Sequence, residues 1–308
     1  MKSTLLYGLR ISADFDLHDS GIEDDGEPDV AIRTGSPFRE WTPQPAGQVI
    51  LDFATHEPWY TLVRLDNGNC HYRVHSIGDF VISPDASMVE MRLHEDVAPG
   101  MDAIMTTGTL LSLLLFLRGT SVFHGSAVAV DGRAVGFVGH SGQGKTTMAT
   151  LFCTEGASVI TDDVLVLDYT QSVPSVRRGS RELRLRSGTA ELVDQLAHAA
   201  TRTSADERQI LAPAHAHQES TPLAAILVPI PTRDESKLRF ERLQGKNAAL
   251  SLVRYPRLMG WRDESVLRKL LLDATTVASG APVLAAFVPW GPPFPDDISG
   301  ALKEFLGQ

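Results

Sequence analysis

The stretch GHSGQGKTT, residues 139–147, constrains the fold more than any other part of the chain. It matches G-x-x-x-x-G-K-[ST] with Gly139, Gly144, Lys145 and Thr146 in the required places. Such a string is informative only when it follows a strand and opens a helix. Here the apolar runs SVFHGSAVAV and RAVGFVG are joined by an Asp131-Gly132 turn, and the second, Ala134–Val138, leads straight into the loop. MATLFCTEG then reads as the helix after it. The order strand, glycine-rich loop, helix predicts an α/β fold whose loop turns successive backbone N–H groups around the phosphates of a nucleotide. Gly139, Ser141, Gly142, Gln143, Gly144, Lys145, Thr146 and Thr147 are the expected nucleotide-binding residues. Lys145 supplies a point charge to the β- and γ-phosphates, and the Thr146 hydroxyl suits a Mg²⁺ shell. The bland alternative is a glycine-rich turn with an accidental Lys-Thr, and the flanking strand and helix count against it.

Asp162 and Asp163 come only seventeen and eighteen residues after Lys145, so they belong to the strand directly after the helix, ASVITDDVLVLD. Neighbouring strand residues face opposite sides, so both carboxylates serve one site only at a strand end or in a distorted turn. A workable division puts one on Mg²⁺ and makes the other a base toward an incoming hydroxyl. A solvated Asp-Asp turn is the alternative. His124, in Phe123-His124-Gly125, precedes the hairpin. The hairpin folds it back toward the acidic pair, where an imidazole would orient a carboxylate or tune its pKa. A satisfied core histidine is the alternative there.

The rest of the chain is plainer. Residues 1–98 contain short alternating runs, among them LLYGLRIS, DVAIRTG, GQVILDFA and DFVISPDA, that read as strands of a mostly antiparallel β module. Asp66-Asn67-Gly68-Asn69 is a hairpin signal. From Pro99 the pattern changes, and 99–308 reads as the catalytic domain. Helices are expected at Met101–Leu117, Ser265–Ala278 and Asp296–Leu306, and strands at LRLR (183–186) and LAAILVPI. Residues 201–221 read as a polar stretch containing Ala and His. The acidic loop 16–29 holds seven carboxylates, and VRRGSRELRLR places five arginines within 177–186. Arg184 and Arg186 would share one face of a strand and, with Arg257, are candidates to touch a phosphate or substrate. A solvated cationic face is the alternative. His215 and His217 lack further ligands at metal spacing and read as a loop. His140 occupies a variable loop position.

Composition narrows the partners. A net charge of −10 argues against a nucleic-acid or anionic-membrane binder. Cys70 and Cys153 are the chain's two cysteines, which is no disulfide framework, so a cytoplasmic home is expected. The N-terminus has too short an apolar run for a signal peptide. LLSLLLFL, eight residues at 110–117, falls far short of the roughly 20 needed to span a bilayer.

His124-Gly125, GHSGQGKT and Asp162-Asp163 together resemble the catalytic domain of the HPr kinase/phosphorylase family. The resemblance covers about residues 119–168, with fifteen residues from His124 to Gly139 and twenty-three from Gly139 to Asp162. Looser similarity to HPr-kinase-related proteins extends through YGLRIS, DVAIRTG and VPWGPPF. Some of those relatives phosphorylate a serine of ribosomally made precursor peptides, lasso peptides included. The resemblance implies a phosphoenolpyruvate-carboxykinase-like core, ATP and Mg²⁺, and a peptide or small-protein serine as acceptor. A homo-oligomer is compatible with it. It makes Asp162 the base with His124 as its partner, Asp163 a metal ligand with Thr146, and Lys145 the residue on the β/γ-phosphates. Departures separate the chain from members acting on HPr itself. Thr146-Thr147 stands for Ser-Glu, residues 1–98 look mainly β, and Glu182-Leu183-Arg184 lacks the glycine of the phosphorylase signature. The β module, free of any catalytic constellation, is expected to recognise substrate. A non-catalytic nucleotide-binding module of a biosynthetic complex and a small-molecule kinase are the competing readings.

Overall fold

The computed structural model describes residues 3–17, 22–185, 200–233, 237–289, 291 and 293–307. They form two compact units, one of Met1–Ser121 with Leu258–Lys269 and one of Val122–Arg257 with Leu270–Gln308. The first unit thus takes in more than the strand-rich residues 1–98.

The first unit is built on nine strands: β1 (Ser3–Leu6), β2 (Leu9–Ala13), β3 (Ile22–Asp24), β4 (Val30–Thr34), β5 (Gln48–Ala54), β6 (Pro58–Arg64), β7 (Cys70–Val74), β8 (Gly78–Ile82) and β9 (Met88–Leu93). They form one sheet in the order β3-β1-β2-β4-β9-β8-β7-β6-β5. β4 runs parallel to both of its neighbours, and the other pairs are antiparallel. LLYGLRIS is therefore a hairpin, not a single strand. Tyr7 (φ 56°) and Gly8 (φ 80°) take the left-handed conformations of a two-residue turn. Burial explains why a tyrosine accepts that backbone: Tyr7 is 1% exposed and its hydroxyl donates to the Thr107 carbonyl at 3.0 Å. The Asp66–Asn69 turn forms as expected, with Leu65 N–H donating to the Asn69 carbonyl at 2.8 Å.

The apolar segment after Pro99 is helical but irregular. A turn of π-helix, Met105–Leu110, separates α1 (Met101–Ile104) from α2 (Leu111–Leu117). Residues 111–116 are buried all round, which is why LLSLLLFL carries no polar face. Among the described residues no helix is long and apolar enough to cross a membrane. The returning segment 258–269 covers the outer edge of β5: Asp52 N–H donates to the Gly260 carbonyl and Arg262 N–H to the Ile50 carbonyl. Gly260 has φ 89°, and a Cβ there would lie 2.0 Å from the Asp52 carbonyl oxygen. Gly260→Ala is expected to cost about 2 kcal/mol or more, read as a lowered thermal midpoint.

The second unit carries the glycine-rich loop. Its main sheet contains β10 (Val122–Phe123), β11 (Gly125–Val130), β12 (Arg133–Val138), β13 (Ser158–Thr161), β14 (Leu165–Asp168), β15 (Ser175–Arg177), β19 (Ser220–Thr232), β20 (Arg239–Arg242) and β21 (Val283–Pro289). The path runs β10-β14-β15-β19-β12-β11-β13, with β21 on β19 and β20 on β21. β12, β19 and β21 run parallel at its centre. Both faces of β12 are covered, so AVGFV reads as a continuous apolar run. Val135 and Phe137 pack with Met148, Leu151 and Phe152 of α3 (Lys145–Thr154). Ala134 and Val138 pack with Ala248, Leu252, Leu270 and Val277 on the other side. A smaller sheet orders β16 (Leu183–Leu185), β18 (Gln209–Ala212) and β17 (Ala200–Thr203) as β16-β18-β17. The polar stretch 201–221 contributes two strands and the start of a third. The helices Glu264–Gly280 and Ile298–Leu306 lie close to their expected bounds.

Candidate active site

The loop between β12 and α3 has the geometry that glycine permits and other residues resist. Gly142 (φ 83°) and Gly144 (φ 91°) are left-handed, and Gly144 immediately precedes the helix. Gln143 braces the loop, accepting from His140 N–H at 2.7 Å and donating to the Pro229 carbonyl at 2.9 Å. A side chain at Gly139 would meet that Gln143 amide, its Cβ only 2.8 Å from Oε1. Lys145 is 6% exposed and its Nζ donates to the His140 carbonyl at 2.8 Å. The His140 ring is exposed and meets Tyr255 edge-on at 4.9 Å. Burial and the nearby cations Arg254 and Lys145 lower its pKa.

The acidic pair lies where β13 has ended and β14 has not begun, so ASVITDDVLVLD is two strands with the aspartates in the bend between them. Asp163 has φ 69°, a left-handed setting that a non-glycine residue adopts at a cost of about 1 kcal/mol or more. That twist separates the two carboxylates. Asp162, 4% exposed, accepts from the Ser126 hydroxyl at 2.5 Å, the Thr146 hydroxyl at 3.0 Å and the Arg184 backbone N–H at 2.9 Å. Burial pushes its pKa up, against the lowering effect of those donors.

Asp163 meets different partners. His124 Nδ1 lies 3.2 Å from its Oδ1, and Arg257 Nη2 donates to its Oδ2 at 2.7 Å. Burial would raise this carboxyl, but the Arg257 charge and the His124 hydrogen bond outweigh it and hold it well below the usual range. His124 therefore pairs with Asp163, whereas the sequence reading paired it with Asp162. Thr146 likewise bonds to Asp162, whereas the sequence reading grouped it with Asp163.

The residues converge on one cavity of about 480 Å³. Ser141–Met148 line one wall, with His124, Asp163, Arg184 and Arg208. Leu151, Pro229, Pro231, Val288 and Phe294 form an apolar part. Asp162 is not among the lining residues, and it is joined to the cavity wall by its hydrogen bond from Thr146. Gly139 also lies behind the lining. Arg186 lies outside the described residues. His215 and His217 contact each other at 4.9 Å, and among the described residues no group of three or more His, Cys, Asp or Glu could hold a metal ion. Trp261 and Arg262, which follow Arg257 closely in the sequence, belong to the first unit, where Arg262 pairs with Asp52 at 2.7 Å.

Sequence reasoning missed Ser126 and Arg208. Ser126 is hidden because a serine in a buried strand carries no motif. Arg208 follows the turn residues SADE, flanked by the alternating TRT and QIL, and that alternation was the available signal. Arg257 was a candidate phosphate or substrate contact. Its site placement comes from residues 255–257 lying along β10: His124 N–H donates to the Tyr255 carbonyl and Arg257 N–H to the Val122 carbonyl, both at 2.8 Å.

No family model matches the chain, and no curated protein matches it. Among solved structures, the Hpr(Ser) kinase/phosphatase from Coxiella burnetii is 12% identical, with 60% of this chain and 93% of that chain covered and a TM-score of 0.28. At that score the likeness establishes no shared fold, and the chemistry has to be read from the side chains.

Proposed function

We propose that this chain is an ATP- and Mg²⁺-dependent kinase that phosphorylates a serine hydroxyl of a peptide or small protein. A ribosomally made precursor peptide is the acceptor class that the motif resemblance favours. The observation carrying the proposal is one cavity lined by the glycine-rich loop, His124 and Asp163, with Asp162 bonded to Thr146 and Arg257 to Asp163 from outside the lining.

On the donor side, the N–H groups of 141–147 and the start of α3 suit the β- and γ-phosphates, with Lys145 as their cation. Mg²⁺ bound to a nucleotide takes most of its ligands from phosphate and water, and needs only one or two protein oxygens. Thr146 fits as the direct oxygen, and Asp162 orients it by accepting its proton. The ion would offset charge on the phosphates. On the acceptor side, Asp163 stays ionised and holds the His124 Nδ1–H, whose nitrogen lies 3.2 Å from both the Asp163 backbone carbonyl and Oδ1, and this leaves Nε2 as the proton acceptor. The serine oxygen forms the new P–O bond while the bond from the γ-phosphorus to the bridging oxygen breaks. ADP leaves, and the hydroxyl proton passes to His124. The bonds in the site thus support Asp162 on the metal side and Asp163 on the acceptor side, the reverse of the division implied by the family resemblance. Because the transition state is loose, holding the hydroxyl in line contributes more than base strength.

The test is incubation with Mg–ATP and a degenerate library of serine-containing peptides, followed by mass spectrometry. Labelled peptides gain about 80 Da, the nominal mass of one phosphoryl group. Mg–ATP binding with no labelled peptide would sink the peptide-kinase reading.

A further inference from the structure

Arg208 stands at the tip of the β17–β18 hairpin and lines the same cavity as Lys145, Thr146 and Asp163. The tip is tightly held. Ser204 N–H donates to the Arg208 carbonyl at 2.9 Å, Arg208 N–H donates to Ser204 Oγ at 3.1 Å, and that hydroxyl donates to Asp206. Asp206 Oδ2 lies 2.6 Å from Arg184 Nη2 and 3.2 Å from Arg208 Nε. One carboxylate therefore holds two guanidinium groups side by side, which leaves a net positive charge at the cavity wall. Arg184 is joined to the acidic pair as well, since its own N–H donates to Asp162. Among the described residues its Nε is buried with no hydrogen-bond partner, a deficit that a polar ligand would remove.

We propose that Arg184 and Arg208 form a clamp for the transferring phosphoryl group, with Arg208 as an arginine finger supplied from within the chain. The inference rests on the phosphotransfer reading above and deepens it. Negative charge spread over the equatorial oxygens of the phosphoryl group is best met by planar, multi-donor cations fixed in place beforehand. Asp206 is the positioning residue: it engages Arg208 through Nε and leaves the outer nitrogens for phosphoryl oxygens.

Calorimetric titration of the full chain with Mg–ADP, with and without fluoroaluminate as a mimic of the transferring group, tests the clamp. In Arg208→Ala, Mg–ADP affinity is expected to stay within about threefold, while the tightening by fluoroaluminate falls about 100-fold or more and single-turnover ATP hydrolysis falls about 10³-fold. Arg208→Lys should recover only part of both, because an ammonium lacks the fork. Asp206→Asn should lower kcat for ATP more than it changes KM. Equal tightening in wild type and Arg208→Ala would overturn the clamp and leave the phosphotransfer reading standing. So would equal loss of Mg–ADP and fluoroaluminate binding in both Arg208 variants, since that marks a structural role. A wild-type protein that binds no Mg–ADP would overturn both.

Discussion

Asp163→Asn is expected to bind Mg–ATP within a few fold of wild type yet transfer phosphate about 10²–10⁴-fold more slowly. Asparagine is the informative replacement because it keeps the size of the side chain and tolerates the left-handed backbone at φ 69°. What it removes is the negative charge that receives Arg257 and orients His124. Asp163 makes no hydrogen bond to the loop residues, so nucleotide affinity has no reason to collapse with turnover. Single-turnover transfer measured beside an ATP titration separates the two. Transfer within tenfold of wild type would remove Asp163 from the acceptor side. The same variant has a stability signature with a definite sign. A carboxyl depressed below its unfolded value of 3.8 contributes stability that is fully present above that pH and is lost as pH falls through the folded value. Wild type should therefore exceed Asp163→Asn by about 1–3 kcal/mol in urea unfolding near neutrality. The gap should close progressively in strong acid, below pH 3.8.

Local features of this protein were readable from the chain, and the long-range ones were not. The loop and its flanking strand and helix are legible because an apolar run buried on both faces, glycines at positive φ and a helix start are all encoded within about twenty residues. Strand alternation allowed both carboxylates to serve one site only at a strand end or in a distorted turn, and Asp162-Asp163 lie between two strands. Which aspartate takes which partner did not follow. It depends on the backbone twist at Asp163 and on Arg257, ninety-four residues later, brought alongside β10 by pairings that leave no local trace. LLYGLRIS misled for a related reason: a turn containing a buried tyrosine looks like an uninterrupted strand. Arg208 was hidden in a polar segment whose two short strands pair with each other and with β16.

Asp162→Asn separates the metal side from the acceptor side. The Asp162 carboxylate accepts three hydrogen bonds, two on Oδ1 from hydroxyls and one on Oδ2 from a backbone N–H that cannot turn away. An asparagine must therefore place its oxygen toward Arg184 N–H and its amide toward Ser126 and Thr146. The two hydroxyls can rotate to accept, so the fold survives, but Thr146 then spends a lone pair on the amide instead of presenting it to Mg²⁺. The expected result is a rise of about 10–100-fold in the Mg²⁺ concentration needed for half-maximal transfer, the usual cost of losing a residue that orients a metal ligand. Transfer should recover substantially at saturating Mg²⁺, which Asp163→Asn should not do. Asp162→Ala provides the contrast, because it leaves the buried Ser126 hydroxyl, the Thr146 hydroxyl and the Arg184 N–H without their acceptor and should destabilise the unit by about 3 kcal/mol. If Asp162→Asn instead shows unchanged Mg²⁺ dependence and an unrecoverable loss of transfer, Asp162 is the proton acceptor after all, and the two aspartates exchange roles.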